Sequence, residues 1–204
     1  MSSLLELALN HPLAGMLRQR LPRPLKQELD QIREVLGRGE PVWTPAAQHE
    51  GDLEGEWIAG IRHCEGDLRR GAARIVNLFK GSVLGGSLRG CNVFVGDLEG
   101  GEITLVNILV GSVLGGIAQQ VNLLIGDIGG GELRGINAVV GNVHGGTLRS
   151  VNLLLGNVHA GEITKAHIII GNVFGGRVEA DVLLGKVEGG EVRARLQTAR
   201  AGGG

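Results

Sequence analysis

The chain contains no tyrosine, and only two tryptophans and three phenylalanines in 204 residues. Proteins that hold single-stranded nucleic acid stack bases on aromatic rings and track phosphates with basic grooves. So few rings, with a formal net charge of -1, argue against a nucleic-acid partner. No apolar run reaches the roughly eighteen residues that a transmembrane helix needs. The opening Met1-Ser2-Ser3-Leu4-Leu5-Glu6 has no basic stretch of the kind that starts a signal peptide. A cytoplasmic chain is therefore expected. The two cysteines, Cys64 and Cys91, have no matched spacing and read as reduced packing residues.

What the chain has is glycine, 37 residues of it. These glycines do not recur every third position with proline, which excludes collagen, and 43% hydrophobic residues argue against disorder. They keep a different beat. Gly51, Gly66, Gly81, Gly96, Gly111, Gly126, Gly141, Gly156 and Gly171 stand fifteen residues apart, and Gly185 follows after a one-residue deletion. Asn77, Asn92, Asn107, Asn122, Asn137 and Asn152 keep the same period, with His167 and then Asp181 continuing their column. A fixed period over this distance means one small unit stacked on itself. The expected fold is mainly β: a single-chain parallel β-solenoid of about nine to ten 15-residue coils, preceded by an N-terminal α-helical segment.

The composition divides the chain into residues 1–46, the solenoid 47–196 and a flexible tail 197–204. In the first part Leu25, Leu29, Ile32 and Leu36 share one helical face, with Pro24 suited to a first turn and Gly37 to a stop. Upstream, Leu5, Leu9, Leu13 and Leu17 suggest further helix interrupted at Pro12 and Pro22.

Within the coil, Val83, Leu98, Val113 and their equivalents form an unbroken apolar column, and so do Leu88, Ile103 and Ala118 with theirs. Both face inward. The glycine pairs between them, such as Gly85-Gly86, permit a tight corner. The third side of the coil runs Cys91-Asn92-Val93-Phe94-Val95. Neighbouring side chains of a strand point to opposite faces, so Phe94, Leu109, Leu124, Val139, Leu154, Ile169 and Leu183 face away from Val93, Ile108, Leu123, Ala138, Leu153, Ile168 and Val182. Only one set fits the core, and an aliphatic stripe is left outside. We read the Phe94 set as the outward stripe and self-association surface. One such column exposes on the order of 400 Å², at the upper range for a monomer. If the outer set is instead the Val93 and Val95 columns together, the area roughly doubles and a stable face-to-face pair is favoured.

The asparagines are expected to form a structural ladder, each amide donating to the next coil, with His167 substituting in it. His144 and His159 share a column on successive coils and are read as a solvated outer pair; as metal ligands they lack a third partner. Acids such as Asp97, Asp127, Glu102 and Glu132 alternate with uncharged residues down their columns, a spacing that limits like-charge repulsion. No catalytic residue, cofactor or metal site is expected, and the chain does not read as an enzyme. Threonines are too scattered to make the flat ranks of an ice-binding face, which is kept as a remote alternative.

The phrase Gly96-Asp97-Leu98-Glu99-Gly100-Gly101-Glu102-Ile103 and its repeats resemble those of bactofilins, bacterial cytoskeletal solenoids that polymerise without nucleotide. The resemblance covers the solenoid and implies a cytoplasmic scaffold that self-associates and recruits partners. The expected partner is therefore the chain itself, in a lateral homodimer or higher oligomer. The alternative is an adaptor whose N-terminal helices bind a partner protein or a membrane surface while the solenoid serves as a rigid spacer.

Overall fold

A computed structural model describes residues 47–197. It contains β1 (Ala47–Glu50), β2 (Leu53–Glu65), β3 (Leu68–Lys80), β4 (Ser87–Val95), β5 (Glu102–Val110), β6 (Ile117–Ile125), β7 (Glu132–Val140), β8 (Thr147–Leu155), β9 (Glu162–Ile170), β10 (Arg177–Leu184) and β11 (Glu191–Gln197). The strands form one 11-stranded sheet in strict chain order. Every pairing is parallel, so the chain winds as a β-solenoid of about ten turns. The helical segment expected within 1–46 lies outside the described residues, as does the tail from 198 onward. Gln197, assigned to that tail from the sequence, is the last residue of β11.

The register is the sequence period made physical. Cys91 pairs with Val106, Val106 with Val121 and Val121 with Ile136, one coil per step. A separate line of bridges runs through the Val83 column from Leu68 to Val187. With rungs ~4.8 Å apart, ten of them make a rod ~45 Å long.

Four inward columns fill the rod, led by Val83, Leu88, Cys91 and Phe94, and their members are almost all under 2% exposed from β3 to β9. No polar or charged side chain is buried among the described residues. At the N-terminal end the rings of Phe79 and Phe94 meet edge to face at 5.6 Å. Further along, aliphatics take over. Each fully buried Leu or Ile contributes ~1.5–3 kcal/mol relative to exposure, and stacking repeats that contribution in every turn.

Each regular coil bends where φ is positive, as at Gly86 (72°), Gly90 (71°) and Gly96 (148°) in the coil of β4. At Gly96 a Cβ would run into the carbonyl oxygen of Gly81, one coil below. That position accepts only glycine, which explains the unbroken fifteen-residue glycine column. The Gly90 position is different. Its equivalents include Ile75, Leu105, Gln120, Ser150 and Lys165, all left-handed with φ between 53° and 60°. The deletion in the last coils falls at this corner: Val178 pairs with Ile163 but Ala180 pairs with Ala166. Ala166 and Ala180 continue the buried Cys91 column past this corner, and Ala194, partly buried, packs against its end.

Candidate self-association face

The side of the coil running from Cys91 to Val95 decides which aliphatic residues reach the surface. Cys91 and Phe94 are both buried, although they are three residues apart. A straight strand cannot point such a pair to one face, so the chain bends between them and leaves Asn92 and Val93 both partly exposed.

This corrects the assignment made from the sequence. Phe94, Leu109, Leu124, Val139, Leu154, Ile169 and Leu183 are each 0% exposed and belong to the core. They make no surface. Alternation does hold between Val93 and Phe94, but the solvent side belongs to the column of Val93, Leu123, Ala138, Leu153, Ile168 and Val182, all partly exposed, with Ile108 in the same column buried at 7% exposure. A second outward column, from Val95 to Leu184, stands beside it. Its Val95, Val140, Ile170 and Leu184 are 36–42% exposed. From β4 to β10 the two columns carry aliphatic side chains only.

The face has a charged boundary toward the N-terminus. In the Val95 column β3 ends in Lys80 and β2 in Glu65. Lys80 Nζ donates to Glu65 Oε1 at 2.6 Å, and that hydrogen bond together with the lysine charge holds the Glu65 carboxyl below its ordinary value.

Along the other edge of the face runs the asparagine ladder. Asn92 Nδ2 donates to Asn77 Oδ1 at 3.1 Å, and Asn107, Asn122, Asn137 and Asn152 each donate in turn to the coil below at 2.6–2.9 Å. His167 Nδ1 lies 2.9 Å from Asn152 Oδ1. Since that oxygen accepts, the Nδ1 atom carries the proton, leaving Nε2 as the ring's acceptor in the neutral form. The ladder joins seven coils through their side chains and gives the apolar face a straight polar margin.

Sequence reasoning missed a second ladder. Asp127 Oδ1 accepts the backbone N–H of Asn142 at 2.7 Å, Asn142 Oδ1 that of Asn157 and Asn157 Oδ1 that of Asn172. Asp52, Asp67 and Asp97 do the same lower down. These acids bind corner amides of the next coil, a role their alternation alone did not suggest. The available signal was that the column is filled by Asp and Asn, which share a side-chain acceptor oxygen, and otherwise largely by Ser. At Asp52 the amide of Asp67 and then Arg69 Nε, at 2.8 Å, hold the carboxyl below its ordinary value.

His144 and His159 lie flat against one another, 4.8 Å between centroids and 5° between planes, and Phe174 continues the stack at 5.0 Å. Among the described residues no third His, Cys, Asp or Glu completes a metal-holding group with them. Burial pushes the Cys64 thiol up to about 11 and the Cys91 thiol up to about 12, which keeps both protonated and unreactive near neutral pH. Among the described residues no helix is long and apolar enough to cross a membrane. Comparison with protein-family models, with curated proteins and with solved structures finds no match for this chain.

Proposed function

We propose that this protein is a non-enzymatic structural scaffold that self-associates laterally, solenoid face against solenoid face, through the Val93 and Val95 columns. The observation that supports it is a charge-free double column of aliphatics from β4 to β10, every member at least partly exposed except the buried Ile108. Such a face presents on the order of 600 Å², at or above the ~300–600 Å² of a monomer's largest apolar patch. Two copies meeting on it bury about 1,200 Å² in total, the lower bound for a stable interface. At ~25 cal/mol per Å² that burial contributes roughly 30 kcal/mol gross, against the ~4–15 kcal/mol that association costs.

The solenoid repeats give such a scaffold its rigidity, because each coil is hydrogen-bonded to the next along its whole length. The resemblance to bactofilins supports the same reading and its cytoplasmic setting. The charges on the final strand, where Arg193 pairs with Glu191 at 3.1 Å and Arg195 with Asp181 at 3.2 Å, blunt that edge against growth. Lateral pairing is thus favoured over end-to-end extension.

Light scattering of the full chain at micromolar concentration tests the proposal. The wild type is expected at twice the monomer mass or more, and a Val140→Lys/Ile170→Lys variant at monomer mass with an unchanged far-ultraviolet circular dichroism spectrum. A monomeric wild type overturns the reading and turns attention to residues 1–46 as the cover of the face.

A further inference from the structure

The outward column read along the register has a centre. Ala138 in β7 is its smallest residue, and Leu123 and Leu153 stand one coil to either side. Ile108 and Ile168 come next, then Val93 and Val182, and then Leu78 and Leu196. The nine residues read the same from either end. Nothing in the coil requires this, because the buried Phe94 column beside it has no such symmetry: Phe79 and Phe94 stand at one end and Leu183 and Gln197 at the other.

We propose that two copies of the chain pair antiparallel about a two-fold axis that passes through Ala138 and Val140. This rests on the lateral self-association argued above. A two-fold axis lying between the faces and perpendicular to the rods places each column against the same column of the partner and reverses the order of coils. Residues of one coil then meet those equally far on the other side of β7, as an isologous interface demands. Leucine faces leucine, isoleucine faces isoleucine, valine faces valine, and Ala138 faces its own copy. An axis along the rods would instead pair each coil with itself and set the Val93 column against the Val95 column. That arrangement has no centre.

The three central coils of the column fit the geometry of crossing, although beyond them it narrows again to valine. Twisted sheets that pack face to face meet at about 30° rather than in line. Their separation is smallest at the crossing and grows away from it. Ala138 at the crossing lets the backbones approach, and Leu123 and Leu153 fill the wider space on either side. The neighbouring columns agree. Val140 meets its own copy, Ile125 meets Leu155 and Val110 meets Ile170, so the second column stays wholly aliphatic. In the ladder column Asn92 meets Asp181, Asn107 meets His167 and Asn77 meets Arg195, each an asparagine opposite a group its amide can satisfy. No like charges face one another there.

Single-cysteine variants of the full chain test the arrangement, read by oxidative cross-linking alongside light scattering. Cys64 and Cys91 are buried, so the unaltered chain is the blank. Ala138→Cys is expected to cross-link with itself. Leu123→Cys alone and Leu153→Cys alone place equivalent positions ~10 Å apart, two rungs, beyond the ~3.5–4.5 Å between Cβ atoms that a disulfide spans. Each is expected to cross-link at least ten-fold less than an equimolar mixture of the two. Equal cross-linking of all three variants alone, with dimer mass retained, overturns the antiparallel axis in favour of parallel pairing. Dimer mass with no cross-link at Ala138→Cys or in the mixture overturns the antiparallel axis, since it is the result of parallel pairing with the Val93 column against the Val95 column or of a contact elsewhere on the chain. A monomeric wild type overturns both this arrangement and the self-association beneath it.

Discussion

The backbone N–H of Asn142 donates to Asp127 Oδ1 at 2.7 Å, across one full turn of the solenoid. That contact ties the corner of each coil to the side chain below it, and Asn157 and Asn172 repeat it. Removing the acceptor leaves a half-buried amide to find water. Asp127→Ala is expected to destabilise the solenoid by about 1 kcal/mol, the net value of one hydrogen bond, with Asp127→Asn close to wild type because Asn142 already serves in that role. Urea unfolding followed by circular dichroism measures both. A loss of equal size in Asp127→Asn would show that charge, and not the amide contact, matters at this corner.

Asp52 adds a pH dependence to the same ladder. Its carboxyl is held below the ordinary aspartate value of about 3.9, first by the Asp67 amide and then by Arg69. A group with a depressed folded value stabilises the fold above its unfolded value, and that contribution is lost as pH falls through the folded value. The advantage of wild type over Asp52→Ala is therefore expected in full at pH 6 and to vanish at strongly acid pH. In Arg69→Ala, the Asp52 titration observed by NMR should rise toward the ordinary value without reaching it, since the amide remains. No movement at all would remove Arg69 from the account.

The sequence made the coil legible because position in a stacked repeat is set by period alone. The Asn77-to-Asn152 spacing and the Val83 and Leu88 columns needed nothing more. It failed at Phe94 for a physical reason. Alternation relates Phe94 to Val93 but does not say which is inside, and the bend between Cys91 and Phe94 that settles it has no glycine to mark it. The corner at Gly90 was hidden in the same way, since Ile75, Leu105 and Gln120 occupy left-handed positions normally advertised by glycine. Gly60 and Gly135 in that column were the available hint. The aliphatic face could be foreseen as an alternative, because both the Val93 and the Val95 columns are apolar. Its centre at Ala138 became visible only once the register had been carried across the deletion between Val178 and Ala180 and on to Leu196.

The corrected placement makes a sharp contrast between adjacent residues. Leu124 is wholly buried, whereas Leu123 is partly exposed. Leu124→Ala is expected to cost ~2–5 kcal/mol of stability through lost burial and a cavity. Leu123→Ala should cost under about 1 kcal/mol in a monomer and act chiefly on association. Denaturation at several protein concentrations separates the two: the Leu124→Ala loss persists at all of them, while the Leu123→Ala loss grows with concentration as the wild type gains from pairing. Equal losses would mean that Leu123 packs as a core residue.

The left-handed corners supply the last test. Leu105 has φ 59° and is 46% exposed, so its side chain gains little from packing while its backbone sits in a region that costs an L-residue ~1–2 kcal/mol. Glycine removes that cost but gives back ~0.5–1 kcal/mol of unfolded-state entropy. Leu105→Gly is thus expected to stabilise by about 0.5 kcal/mol, and Ile75→Gly by slightly more because a β-branched residue is strained further there. The reverse change separates strain from crowding. A Cβ at Gly90 would come no closer than 3.7 Å to the Ile75 nitrogen, an ordinary contact, so Gly90→Ala should cost only about 1 kcal/mol of dihedral strain. Gly96→Ala drives its methyl into the Gly81 carbonyl and should prevent that turn from stacking. Thermal unfolding of the four variants checks the order. A destabilised Leu105→Gly would show that side-chain contacts, and not the dihedral, hold this corner in place.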